Sequence, residues 1–181
     1  VMRDRASIAN YDASFSGASE RVNYYASGSV AREEGILKND QFERYTFNSK
    51  VDGKLTDWLS LGLNVNYSYR DYSGVNASLE DARVASPLAN YDLDSPDDYV
   101  TFLTNEGYMP HPLGQTKATN EDIRNNLFFV ANAKVEVPFV EGLTYDFNYS
   151  NTFYYRKNNT FWPVSIENGN TNNGRAERRP E

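Results

Sequence analysis

From Trp58 to Tyr72 the chain alternates apolar and polar side chains with a period of two. Leu59, Leu61, Leu63, Val65, Tyr67 and Tyr69 fall on one side, and Ser60, Gly62, Asn64, Asn66, Ser68 and Arg70 on the other. A helix would scatter those apolar residues around its circumference, whereas a strand gathers them on one face. The pattern recurs five times. Ile8 to Gly17 sets Tyr11, Ala13 and Phe15 against Asn10, Asp12, Ser14 and Ser16. Val22 to Arg32 sets Val22, Tyr24, Ala26, Gly28 and Val30 against Asn23, Tyr25, Ser27 and Ser29. Phe42 to Gly53 sets Tyr45, Phe47 and Val51 against Arg44, Thr46, Asn48, Lys50 and Asp52. Arg124 to Val137 sets Leu127, Phe129, Ala131, Ala133, Val135 and Val137 against Asn132, Lys134 and Glu136. Leu143 to Arg156 sets Leu143, Tyr145, Phe147, Tyr149, Phe153 and Tyr155 against Thr144, Asp146, Asn148, Ser150 and Thr152.

These segments run roughly 10 to 15 residues, against about 5 to 6 for a typical soluble strand. Ten residues rising about 3.3 Å each, tilted near 45°, climb about 23 Å, close to the apolar band of about 25 Å in an outer-membrane barrel. Small polar residues on the second face suit a water-filled lumen better than a sandwich core. The connections differ in length. Ala18 to Arg21, Lys54 to Asp57 and Pro138 to Gly142 are short; Glu33 to Gln41, Ser73 to Ile123 and the tail from Lys157 are longer. In an antiparallel meander alternate connections share one end of the sheet, so the short turns are expected at one end and the long loops at the other. Barrels of this kind place short turns on the periplasmic side and long loops outside.

The pattern therefore predicts an all-β fold: an antiparallel up-and-down meander of about six long strands, an incomplete slice of a large transmembrane β-barrel. Residues 1–156 are expected to form the partial barrel, with a long extracellular loop at 73–123. Residues 157–181, rich in Asn, Gly and charge, are expected to begin a further mobile extracellular loop. Within the long loop, Ser95 as N-cap, Pro96 at the first position and Asp97 and Asp98 in the first turn predict a helix from Pro96 to Asn105. A second short helical turn is expected at Leu79 to Val84.

Composition sharpens this picture. The chain has 14 Tyr and 10 Phe but 2 Met, with 39% hydrophobic residues and a mean hydropathy of −0.71. Alternation explains so low an average in a membrane protein, since every second residue faces water. No stretch approaches the roughly 20 apolar residues of a membrane helix. Val1 to Ala9 lack a signal-peptide pattern, so the expectation is a mature start or an internal piece. A net charge of −7 excludes an ordinary nucleic-acid partner, which needs a basic patch. With no Cys, disulfides and thiolate metal sites are excluded.

Candidate chemistry is sparse. Asp92, Asp94, Asp97 and Asp98 lack the spacing and closing Glu of a calcium loop, and helix capping accounts for them. His111, between Pro110 and Pro112, is expected to be an exposed loop residue. Glu33-Glu34 and Glu80-Asp81 are sequence neighbours with no sign of a shared pocket, so loop charge is the simpler account than a glycosidase pair. No catalytic or metal residue and no cofactor is assigned, the chain is not expected to be an enzyme, and the substrate-binding residues stay open. Tyr24, Tyr45, Tyr67, Tyr69, Tyr72, Tyr145, Tyr149 and Tyr155 lie on or near strand faces, and those on the lipid-facing side are read mainly as an aromatic girdle or wall. Tyr91, Tyr99, Tyr108 and Trp162 are read as loop packing, with glycan stacking or a lid contact as the sharper option. The lumen face is expected to carry Asn10, Asp12, Asn48, Lys50, Asn64, Asn66, Asn132, Lys134, Asp146 and Asn148.

Several segments resemble one family. Asn10 to Gly17 (NYDASFSG), Asn23 to Ser27 (NYYAS), Glu34 to Leu37 (EGIL) and Phe42 to Tyr45 (FERY) resemble the first barrel strands of SusC/RagA-type TonB-dependent transporters. Thr56 to Tyr67 (TDWLSLGLNVNY) is similar to the strand that follows there, Glu141 to Tyr145 (EGLTY) to a later periplasmic turn, and Ser86 to Leu88 (SPL) is family-like. The resemblance implies a 22-stranded barrel with an N-terminal plug in the cell outer membrane of a Gram-negative bacterium, energised through TonB. It implies a SusD-type surface lipoprotein as lid and an oligosaccharide or peptide as solute. With no plug and no TonB-contact segment in these residues, the chain is expected to be a fragment of the early barrel wall, bathed in outer-membrane lipid and inactive alone. The alternative is a soluble β-sheet ligand-binding module. It would bury the odd-numbered residues of Leu59 to Tyr69 against a second layer, whereas the barrel reading places them on an uncovered outward face.

Overall fold

The computed structural model of the chain describes residues 1–85 and 110–180. Seven strands form one sheet: β1 (Ser7–Ala18), β2 (Val22–Glu34), β3 (Gln41–Lys54), β4 (Leu59–Asp71), β5 (Thr119–Glu136), β6 (Thr144–Trp162) and β7 (Arg175–Pro180). Each pairs antiparallel with the next, in the order β1 to β7, and the first and last do not pair with each other. This is an unclosed up-and-down meander, as a slice of barrel wall requires.

Register ties the alternations together. Leu63 lies opposite Val51 and Ala131, Val51 opposite Tyr24, and Ala131 opposite Tyr149. Directly paired residues point to the same side of a sheet, and neighbours along a strand to opposite sides. The apolar sets of β1 to β6 therefore merge into one face and the polar sets into the other. A slip of one residue in any hairpin would break both.

That apolar face is uncovered. Every substantial element contact is between adjacent strands, and no second sheet lies across the first among the described residues. Leu63 is 46% exposed and Phe153 56%. Removing such a side chain from water stabilises by about 1.5–3 kcal/mol. Half of that at each of a dozen half-exposed positions sums to about 9–18 kcal/mol, comparable to the whole net stability of an ordinary domain, roughly 5–15 kcal/mol. A protein in water would bury this surface; one in lipid has no need to.

What the molecule does bury lies mostly in its loops. Ala77, Leu113, Ala118 and Ile166 are buried, against only Ala26 and Ala31 among the apolar residues of the strands. Short helix α1 (Leu79–Val84) forms where its sequence predicts. Ser78 caps it by accepting from the Asp81 amide at 3.1 Å. A 3₁₀ turn (Gly114–Lys117) follows His111, and a second short helix, α2 (Glu167–Asn170), precedes β7.

Three expectations need correction. The six long strands are joined by a seventh, short one. The added strand lies in the stretch read as a mobile loop, and β6 continues past Arg156 to Trp162. Likewise β5 starts at Thr119, within the stretch read as loop. The reason is common to all three. Above the apolar band both faces are polar, so alternation fades while pairing persists through side chains: Lys157 to Glu121 at 2.6 Å, Asn159 to Glu121 at 3.2 Å and Thr160 to Asn120 at 2.9 Å. Second, connection lengths sort less cleanly by end. Asn39, at φ 65°, lets Gly35–Asp40 close a compact turn no longer than 137–143. The asymmetry rests on 72–118 and 163–174. Third, His111 is 2% exposed, not a surface residue. Tyr72 projects to the polar side, against Phe42 at 4.7 Å, so it is not among the tyrosines of the apolar face. The helix expected at Pro96 to Asn105, the acids Asp92, Asp94, Asp97 and Asp98, and Tyr91, Tyr99 and Tyr108 lie outside the described residues.

Candidate functional site: the polar face of the sheet

Asn10, Asp12, Asn48, Lys50, Asn64, Asn66, Asn132, Lys134, Asp146 and Asn148 share one face. Asn48 lies opposite Asn66, Lys50 opposite Asn64, Asn132 opposite Asn148, and Lys134 opposite Asp146. Asn10 and Asp12 face Ala31 and Ser29 across the first hairpin. Local bonds order these side chains. Asn48 Nδ2 donates to Ser27 Oγ at 3.3 Å, Asn66 Nδ2 to Asn64 Oδ1 at 3.2 Å, and Lys50 pairs with Asp52 at 3.2 Å. The remaining donors and acceptors face water, the surface a hydrophilic solute needs.

Two recesses interrupt the face. One of about 380 Å³ lies near the short turns, lined by Asn23, Asp52, Ser60, Asn132, Lys134 and Asp146 among others. Gly62 sits on its floor. A Cβ there would come within 1.9 Å of Asn132 Oδ1 and 2.6 Å of Asp52 Oδ1, so glycine lets those two side chains lie across the strand. A larger recess of about 1040 Å³ lies toward the long loops, with Phe42, Tyr72, Asn120, Asn158, Trp162 and Glu177 in its lining. Trp162 thus belongs to a strand end, and the Arg175 guanidinium lies 5.1 Å from its ring centre.

Between the recesses runs a feature that strand-by-strand reading misses. Pairing places Arg44 opposite Arg70, Arg70 opposite Arg124, and Arg124 opposite Arg156. Four arginines form one row across β3 to β6. Asp122, 6% exposed, sits beside it and binds two of them, each through two nitrogens. Arg124 donates from Nε at 3.1 Å and from its terminal nitrogen at 2.8 Å; Arg156 does so at 3.2 and 3.1 Å. Arg124 also lies 4.3 Å from the Tyr72 ring centre. The residues were visible in the sequence, but the row exists only once register is known.

The opposite face marks a level. Tyr11, Val30, Tyr45, Tyr69, Asn125 and Tyr155 form one outward row, with Tyr45 and Tyr69 rings 5.9 Å apart. The next outward row toward the loops is Arg32, Glu43, Asp71, Ile123 and Lys157. Apolar surface therefore ends abruptly at a tyrosine row followed by charge. From Leu59 to Tyr69 along β4 the rise is about 33 Å, or about 23 Å tilted by 45°.

The sequence is similar to known proteins along most of its length. TonB-dependent receptor P26 of Formosa agariphila is 34% identical over 122 residues, 67% of this chain and 12% of that protein. TonB-dependent receptors P3 and P39 of the same organism are each 28% identical. Their matches cover 88% and 87% of this chain, and 17% and 15% of their own lengths. The chain thus spans less than a fifth of the curated relatives it matches. No family model matches it. The two-faced unclosed sheet, its uncovered apolar band and this shared sequence together support the TonB-dependent receptor family for this chain.

Proposed function

We propose that the chain forms part of the barrel wall of a TonB-dependent importer in the outer membrane of a Gram-negative bacterium, most simply one of the SusC/RagA type. In that role its apolar face meets lipid and its polar face lines the path of a hydrophilic solute, an oligosaccharide or a peptide. TonB and a SusD-type lid act on the whole transporter, to which this segment contributes wall and not catalysis. One observation carries the reading: the apolar band is uncovered, about the height of a bilayer core, and bounded by a tyrosine row and then charge. A soluble module would need that band covered, and no described element covers it.

The test uses the intact protein as its gene encodes it, with single cysteines at Leu63 and Asn64. The importer reading expects outer-membrane fractionation and heat-modifiable migration on gels. A water-soluble maleimide should label Asn64→Cys, while Leu63→Cys should react only with a lipid-soluble reagent. A soluble monomer, or equal labelling of both by the water-soluble reagent, overturns it.

A further inference from the structure

We propose that the row Arg44, Arg70, Arg124 and Arg156 binds the anionic groups of an acidic oligosaccharide, a chain carrying carboxylates or sulfate esters. The inference rests on the importer reading and deepens it by naming a solute class.

Like charges directly opposite across a strand pair destabilise a sheet. This row contains three such pairs in succession, on strands about 4.8 Å apart. Among the described residues, only part of its charge is matched. Asp122 neutralises one equivalent while holding both Arg124 and Arg156. Arg70 reaches only a hydroxyl, Ser68 Oγ at 3.2 Å, and no carboxylate among the described residues pairs with Arg44 or Arg70. Both are exposed on the polar face. The arrangement is thus half clamped and half open, with two guanidinium groups fixed by one acid and two presented to the water side.

Guanidinium suits this task. Its planar fork donates two parallel hydrogen bonds to a carboxylate or sulfate, and it stays charged at any physiological pH. The spacing of the row, about 4.8 Å per strand, is near the advance per ring of an extended oligosaccharide and longer than the roughly 3.3 Å per residue of an extended peptide. The large recess adjoins the row on its loop side, and Phe42 and Tyr72 in its lining set aromatic surface beside the Arg124 guanidinium. The chain as a whole is acidic, at −7, so a positive row distinguishes this rung from its surroundings.

The experiment uses the intact protein purified in detergent, with calorimetry against four probes of matched length. These are an oligogalacturonate, a sulfated dextran oligomer, a neutral maltooligosaccharide and an oligoglutamate. We expect at least one acidic saccharide to bind at least tenfold more tightly than the neutral one, with affinity falling steeply as salt rises. Arg44→Gln with Arg70→Gln should cost that probe at least tenfold, while Arg32→Gln, an arginine on the opposite, outward side of the sheet, should change it less than threefold. Heat-modifiable migration of each variant shows that the barrel is intact. Equal affinity for neutral and acidic saccharides overturns the proposal, as does an unaffected double variant or tightest binding of the oligoglutamate. Each of these leaves the importer reading standing. A protein recovered as a soluble monomer overturns both.

Discussion

Leu63 and Leu113 are both leucines in well-defined backbone, yet Leu63 is 46% exposed and Leu113 4%. The difference separates two regions that follow different solvents. Around Leu113 the loops behave like a small soluble protein: Ala77, His111, Ala118 and Ile166 turn inward, and Ser78 caps a helix. Around Leu63 the sheet has one layer and buries almost nothing, as the importer reading expects of a face that meets hydrocarbon. Polar satisfaction also differs. In the sheet, backbone groups bond to the neighbouring strands, the only arrangement besides a helix that tolerates lipid. In the loops they find assorted partners, such as Ser78 N to Pro112 O at 3.0 Å and Ala77 N to Lys38 O at 3.0 Å.

The strongest way to break this contrast is a charge on the outward face. Leu63→Arg in the intact protein is expected to cost about 2–4 kcal/mol in lipid vesicles, the penalty of arginine at the bilayer midplane. Asn64→Arg, one residue along and on the polar face, should cost less than about 0.5 kcal/mol. Denaturant titration in vesicles measures both. If Leu63→Arg were as mild as Asn64→Arg, the face would be meeting water, and the distinction between the two regions would fail.

Next in size is the junction where sheet meets loops. Asp122 accepts four charge-assisted hydrogen bonds from two arginines that are themselves opposite one another. Asp122→Asn keeps the shape and removes the charge that holds Arg124 and Arg156. A hydrogen bond to a charged group contributes about 1.5–3 kcal/mol, discounted here because the arginines are partly solvated. The expected loss is about 2 kcal/mol, concentrated in the upper ends of β5 and β6. Amide exchange at Ile123 and Lys157 should quicken while that at Leu63 does not. Uniform change along both strands would mean that the clamp has no local role.

Smaller again is the cap on α1. Six residues cannot sustain a helix unaided. Ser78→Ala should cost about 1 kcal/mol locally, read as a roughly fivefold faster exchange of the Ala82 and Ala85 amides. The strands should not respond, since α1 makes no substantial contact with them.

The same contrast governs how far the chain could be read without its structure. Strands β1 to β4 were legible because each crosses the apolar band, where one face is apolar and the other polar and the alternation is strict. Thr119 to Ile123, the end of β6 and all of β7 lie where both faces are wet, so Glu121–Lys157 and Asn120–Thr160 hold the register without an alternating signature. The ten polar-face residues followed from alternation alone. The arginine row did not, because a row is a property of three strand registers together, and Asp122 fell within a stretch read as loop. His111 was misjudged for a related reason. Its neighbours Pro110 and Pro112 signal a loop, but nothing local says that Leu113 and Ile166 will close over it.

That histidine supplies the smallest test, and the one most specific to the loop region. The Leu113 amide donates to its Nδ1 at 3.1 Å, which requires that nitrogen unprotonated. Burial, with Lys117 nearby, lowers its pKa from the ordinary 6.5. The unfolded loop thus binds a proton more readily than the folded one. The stabilisation from neutral His111 is fully present above about pH 6.5 and is lost as pH falls through the lower folded value. Amide exchange at Leu113 and Gly114, corrected for its intrinsic pH dependence, should therefore show growing local opening below pH 6.5, while Leu63 and Val65 show none. His111→Phe removes the titrating group and also the acceptor for the Leu113 amide. Its loops should be less protected at neutral pH and no longer respond to acid. If the acid response survived in His111→Phe, another group would be titrating, and the loops would owe their order to something other than this buried neutral ring.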